Sequence, residues 1–189
     1  MVNNLKKRFF TSLILFSILY LMYLNTYVLG YFIIIIGVLS ILEFFRMILK
    51  IFNKRLILKS LINLLFATYI FLTLTVFLSL SFFSHLKILI FIILLTCIAS
   101  DLGGFVFGKI FKGPKLTKIS PNKTISGAIG SLIFSVTLIF LIFFYLIDNM
   151  KYEIIFVGLS TSISCQIGDL FFSYLKRKSL MKDTGKILP

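Results

Sequence analysis

Read for apolar against polar positions, the chain is six long apolar runs separated by short basic segments. The runs cover residues 9–24, 27–42, 61–83, 86–104, 127–147 and 152–172. A hydrocarbon core takes about 17–25 residues of helix. Within it every backbone N–H and C=O must be satisfied inside its own segment, so such runs read as helices. The first two are short for full crossings, and a shallow helical hairpin is the alternative for that pair. Lys6, Lys7 and Arg8 ahead of the first run imitate a signal peptide, but no small-x-small cleavage site follows, so the first helix is expected to stay uncleaved. The expected fold is all-α: a polytopic transmembrane helix bundle of about six spans, in a single integral-membrane domain over residues 1–189.

Composition agrees. Of the 189 residues, 59% are apolar and 14% charged, against roughly 45–50% and 25% in soluble domains. That excludes a water-soluble globule, a disordered chain and a disulfide miniprotein. The 20 Lys and Arg against 6 Asp and Glu would by themselves suggest nucleic acid, but they sort by loop. Three precede helix 1, five lie between helices 2 and 3 (Arg46, Lys50, Lys54, Arg55, Lys59), five between helices 4 and 5 (Lys109, Lys112, Lys115, Lys118, Lys123), and five follow helix 6 (Lys176, Arg177, Lys178, Lys182, Lys186). Only Lys87 and Lys151 occupy the other set of loops. The pattern is topological, with both termini cytoplasmic and a lipid bilayer, not nucleic acid, as the partner. Anionic headgroups favour the same arrangement, so a basic loop needs more than charge before it is given a function. Cys97 and Cys165 lie in apolar runs without metal-site spacing and are expected to pack; His85 is alone in an outer loop and reads as an interfacial polar residue.

Four acids have bland settings: Glu43, Asp148 and Glu153 flank helix ends, and Asp183 lies among bases in the last segment. Asp101 and Asp169 interrupt apolar runs instead. A carboxylate at the bilayer centre costs about 2.5–3.5 kcal/mol on insertion scales, and such groups face a protein interior or wet cavity and mark ion or substrate sites. Snorkelling to the cytoplasmic face is the alternative for each. Their settings match: Thr96-Cys97-Ile98-Ala99-Ser100-Asp101-Leu102 beside Ser164-Cys165-Gln166-Ile167-Gly168-Asp169-Leu170. Each acid lies about 10–12 Å of helical rise before the next cytoplasmic lysine, Lys109 or Lys176, so the two share a depth.

Between them, residues 103–130 hold six glycines, two prolines (Pro114, Pro121) and five lysines. Glycine permits close backbone approach to a ligand and lysine supplies point charges for phosphate. The stretch from Lys118 through Ser120, Pro121, Lys123 and Thr124 leads into helix 5, whose amino terminus offers N–H groups to anions. A phosphate-bearing ligand fits, and so does an ordinary solvated loop. The segment after helix 6 adds Ser173, Lys176, Arg177, Lys182 and Asp183. Acids for a divalent metal, with bases beside them for phosphates, are the parts of phosphoryl or nucleotidyl transfer.

The motif Ser173-x-x-Lys176-Arg177-x-x-x-x-Lys182-Asp183-x-Gly185-x-x-Leu188-Pro189 resembles the first half of the signature of the phosphatidate cytidylyltransferases, or CDP-diacylglycerol synthases. Gly168-Asp169-Leu170-x-x-Ser173 and Lys118-x-Ser120-Pro121-x-Lys123-Thr124 are similar to the same family. The chain departs from it where Asp101-Leu102-Gly103-Gly104-Phe105 stands for Asp-Thr-Gly-Ala-Tyr and Ser126 for Glu. The family continues with Gly-His-Gly-Gly and Asp-Arg-x-Asp beyond the point where this chain stops, so the C-terminal part of the family domain is expected to be missing, with its acids those that share the metal with Asp169.

The resemblance implies transfer of cytidylyl from CTP to phosphatidic acid at the cytoplasmic face of a cell inner membrane, in a multi-pass protein compatible with a homodimer. It implies Asp169 as ligand of a divalent metal, Mg2+, with room for a second cation. Lys123, Lys176, Arg177 and Lys182 become phosphate contacts, and Asp183 orients a cation or water. Asp101, Ser120, Pro121, Thr124 and Ser173 become substrate-side residues, Asp101 as a polar cavity wall or partner of metal-linked water. The rival readings are a small membrane transporter using the acids as an ion pathway, with Thr161, Ser162 and Ser164 as its polar positions, and an inactive truncated remnant.

Overall fold

The computed structural model describes residues 2–53, 55–117, 119–121, 123–146 and 152–181, with side chains from Phe10 onward except Leu146. Among them, six helices and one isolated bridge are the regular structure: α1 (Val2–Leu24), α2 (Thr26–Ile51), α3 (Leu56–Ser81), α4 (Ser84–Phe111), α5 (Ile125–Leu146) and α6 (Glu153–Lys178). Five of these, α2 to α6, are long and apolar enough to cross a membrane. The apolar part of α1, Phe10–Leu24, is shorter.

The doubt over the first two runs resolves unequally. The apolar run of α2 ends at residue 42, yet the helix continues to Ile51. Its last turns are amphipathic, with Phe44, Met47 and Ile48 buried and Glu43 and Arg46 interspersed. Glu43 is therefore a helical residue, not one flanking a helix end. Glu153, by contrast, opens α6, where a carboxylate meets the positive end of the helix dipole. Asp148 and Lys151 lie outside the described residues, as does Lys54.

The chain divides into two compact units, 1–87 with 178–189, and Ile88–Arg177. In the first, Asn25 alone separates α1 from α2. Its side chain accepts from the Tyr27 N–H at 2.9 Å, which caps α2. α2 packs on α3 through the stacked rings of Phe44 and Phe66, 3.7 Å between centroids. Gly37 lets Leu74 and Ile70 approach. Lys87 is not a loop residue: it stands in the first turn of α4, buried, donating to Thr26 Oγ1 at 3.1 Å, with its ammonium 6.0 Å from the Tyr23 ring.

The second unit is organised by small residues. Gly103, Gly104 and Gly108 of α4 face Gly127, Gly130 and Ser131 of α5 so closely that a Cβ on Gly103 would meet the Gly130 carbonyl at 2.5 Å, and one on Gly127 would meet the Gly104 carbonyl at 2.8 Å. Stripes of small residues let helices touch backbone to backbone. Most glycines of the 103–130 stretch thus serve helix packing. On the other side of α5, Gly158 of α6 seats against Val136 and Ile139. Hydroxyls within the helices mostly donate to carbonyls one turn back, as Thr96 does to Ile92 and Thr161 to Val157, which keeps them satisfied without water.

Candidate active site

The site lies within the second unit, where the C-terminal halves of α4 and α6 meet the start of α5. Its rim is the segment between α4 and α5. α4 ends at Phe111, and Lys112 turns the chain with φ of 42°. The chain then folds back on itself: the Leu116 N–H donates to the Lys123 carbonyl at 2.8 Å and the Ile125 N–H to the Pro114 carbonyl at 2.9 Å, with an antiparallel bridge between Lys115 and Thr124. At the tip, the Lys123 N–H donates to the Ser120 carbonyl at 3.1 Å. That closes a four-residue turn with Pro121 at its second position, where the ring pre-sets φ. Pro121 and Ser120 therefore shape the turn that delivers Lys123.

Thr124 caps α5. Its Oγ1 accepts from the Gly127 N–H at 3.1 Å and lies 3.1 Å from Ser126 Oγ, which in turn accepts from the Gly113 N–H at 3.3 Å. Two of the first N–H groups of α5, on Ile125 and Gly127, are thus already taken. The helix terminus is less open to an anion than its sequence suggests, and the nearest cation becomes the stronger attractor.

That cation is Lys123, whose Nζ donates to Asp169 Oδ2 at 2.8 Å. Both line an open cleft of about 180 Å³ together with Asp101, Thr124, Gln166 and Ser131, with Gly104 and Gly127 also in its lining. Asp101 of α4 and Asp169 of α6 line the same cleft. Neither acid is buried: Asp101 is exposed and the Asp169 side chain is 62% exposed, while Lys123 is 30% exposed. Below them, Gln166 Nε2 donates to the Ala128 carbonyl at 3.2 Å and to Ser162 Oγ at 3.3 Å, and Ser162 Oγ lies 2.8 Å from Ser100 Oγ. The Cys97 and Cys165 thiols interact one turn further in and are free, not bridged.

Of the residues singled out in the sequence, the cleft gathers Asp101, Lys123, Thr124 and Asp169. Ser173, Lys176 and Arg177 do not line it, although Ser173 and Lys176 follow Asp169 by four and seven residues on α6 and so share its face. Lys182 and Asp183 lie outside the described residues, as do Lys118 and Asn122. Gln166 has no role in the sequence reading; its signal is an amide in an apolar run, three residues before Asp169.

Among the described residues no group of three or more His, Cys, Asp or Glu gathers, so a cage built wholly from protein is absent there. Mg2+, however, keeps several waters and binds through one or two carboxylates plus substrate phosphates. Asp101 and Asp169 on one open cleft fit that description.

The chain matches the cytidylyltransferase family over residues 2–189. It is 34% identical over 101 residues to a phosphatidate cytidylyltransferase of Mycobacterium leprae (strain TN), which is 53% of this chain and 32% of that protein. Over 92 residues it is 40% identical to one from Staphylococcus haemolyticus (strain JCSC1435), 48% of this chain and 35% of the relative. Over 98 residues it is 41% identical to one from Helicobacter pylori (strain J99), 51% and 36%. The matched stretch spans about a third of each of these curated relatives. No solved structure matches significantly. A family match running along the described helices, and relatives that agree among themselves, place this chain in the cytidylyltransferase family.

Proposed function

We propose that the chain serves transfer of cytidylyl from CTP to phosphatidic acid, giving CDP-diacylglycerol and pyrophosphate, with the cleft opening at the cytoplasmic face of the inner membrane. The observation that carries this reading is the Lys123–Asp169 pair in a cleft shared with Asp101. A cation and two carboxylates on one open surface are what a polyphosphate with its counter-ion requires. The names of the relatives supply the substrates. A phosphatidate oxygen attacks the α-phosphorus, the bond from that phosphorus to the bridging oxygen breaks, and pyrophosphate leaves.

The nucleophile is already an anion, so no general base is needed. The protein's task is to bring like charges together. Lys123, released from Asp169, turns to the phosphates, with Lys176, Arg177 and Lys182 proposed as further contacts and Asp183 as an orienting group. Asp169, with Asp101 beside it, would hold Mg2+, which supplies charge screening when bound. The clustering of 18 of 20 basic residues at one set of helix ends and the segments joining them supports the cytoplasmic orientation. The transporter reading gains nothing from two of its hydroxyls, since Thr161 donates to its own helix and Ser162 pairs with Ser100.

The test is the chain in liposomes containing phosphatidic acid, given CTP labelled at the α-phosphate. Label is expected to enter the lipid phase with release of pyrophosphate, and CTP is expected to be retained by the purified chain. Asp169→Asn should lower CTP retention by about 10–100-fold, the scale of a damaged metal site, with membrane insertion unchanged. Undiminished retention would remove the metal role of Asp169.

A further inference from the structure

Gln166 is half-buried and its amide has only one workable orientation. The Ala128 carbonyl can only accept, so Nε2, not Oε1, must face it; the same nitrogen reaches Ser162 Oγ. Ser162 is one turn before Gln166 on α6, and its hydroxyl meets Ser100 of α4, the residue immediately before Asp101. Ser100 is 1% exposed and Ser162 0%. One amide therefore ties α6 to α5 directly and to α4 through a buried hydroxyl pair, just beneath Asp101 and Asp169. An apolar core could hold three helices together as firmly, because replacing both partners of a buried hydrogen bond is nearly neutral. What a directional chain adds is register.

We infer that Gln166 is a positioning residue, setting the separation of the Asp101 and Asp169 carboxylates by tying α6 to Ala128 of α5 and, through Ser162 and Ser100, to α4. Its consequence for the nucleotide and its divalent cation rests on the cytidylyl-transfer reading above; the tie itself does not. Loss of the amide lets the two carboxylates drift apart, and a cation shared between them and the phosphates is held less tightly.

The test uses the purified chain in nanodiscs, with Mn2+ and CTP as probes and two variants, Gln166→Leu and Ser162→Ala. The Mn2+ concentration that supports half-maximal CTP retention is expected to rise about 10–100-fold in Gln166→Leu, as for loss of a partner orienting a ligand, and to move the same way, by less, in Ser162→Ala. A purely structural role would reduce the yield of monodisperse protein and leave that midpoint in place, overturning the inference. Should Gln166→Leu fail to fold, Ser162→Ala decides by the same criterion. Cys97 and Cys165 give a second readout that needs no substrate. Copper-phenanthroline oxidation of that native pair, followed by loss of alkylatable thiols, reports the spacing of α4 and α6. Its rate is expected to change in Gln166→Leu. An unchanged rate overturns the inference even if the wild-type chain retains no CTP, whereas absence of retention in wild type with an altered rate overturns the cytidylyl reading alone.

Discussion

Lys123 and Asp169 hold each other in a contact that is more than half open to solvent on the acid side. An exposed ion pair is worth at most about 1 kcal/mol, so it is cheaply exchanged. A triphosphate can draw Lys123 away and a cation can take its place on the carboxylate. Under the proposed cytidylyl transfer, the pair would act as a stand-in that keeps each partner oriented before substrate arrives. Lys123→Ala should accordingly have opposite effects on two ligands. CTP affinity should fall by about tenfold, the loss expected for one charged contact of about 1.4 kcal/mol. Mn2+ affinity without nucleotide should rise or hold, because Asp169 loses its competitor. Calorimetric titration of each ligand checks this, and a parallel fall in both affinities would mean that Lys123 supports the fold of the cleft instead. Asp169 was legible in the sequence because a charge inside an apolar run is costly enough to be conspicuous; Lys123 stood out only as one of five lysines in the glycine-rich stretch and through the motif ending in Thr124, and its pairing with Asp169 was not legible. Gln166 was not, because an amide costs little to insert and its importance lies in which carbonyl it meets. Nor was the occupied terminus of α5, which depends on where the Pro114 carbonyl falls after the chain turns.

The helices themselves follow from the apolar runs, but their ends and their glycines needed the structure. α2 runs past its apolar stretch because Phe44, Met47 and Ile48 recur at helical spacing among charged residues, a periodicity that a count of consecutive apolar residues overlooks. The glycines between 103 and 130 carry an ambiguous signal, since the missing Cβ serves a bound ligand and a neighbouring helix equally. Here the neighbour takes them. A Cβ on Gly130 would meet Phe107 Cγ at 2.5 Å and the Gly103 carbonyl at 2.8 Å, whereas one on Gly168 would meet nothing within 4 Å. Alanine in an open helical position gains up to about 1 kcal/mol over glycine, and overpacking costs about 1–3 kcal/mol. Gly168→Ala should therefore raise the unfolding temperature of the detergent-solubilised chain and Gly130→Ala lower it. If Gly130→Ala were also stabilising, the close contact of α4 with α5 would be wrong.

At the scale of the molecule, the cleft's place along α4 decides which solution it opens to. α4 has 28 residues, about 42 Å at 1.5 Å per residue, enough to pass a hydrocarbon core of about 30 Å with both ends in contact with water. His85 stands at its start, and the loop holding Lys112, Lys115 and Lys123 follows its end. Phosphatidic acid cannot leave the bilayer without exposing its acyl chains, and CTP cannot enter it. Under the proposed cytidylyl transfer, a cleft uniting them must open where CTP is, and the distribution of basic residues favours the Lys115 end for that side. With Cys97→Ala and Cys165→Ala in place, a cysteine at Lys115→Cys should react with a membrane-impermeant maleimide in inside-out vesicles only, and one at His85→Cys in right-side-out vesicles only. The reverse pattern would set the cleft on the side that CTP does not reach, and cytidylyl transfer there would fail on supply of nucleotide whatever the geometry of Asp101, Lys123 and Asp169.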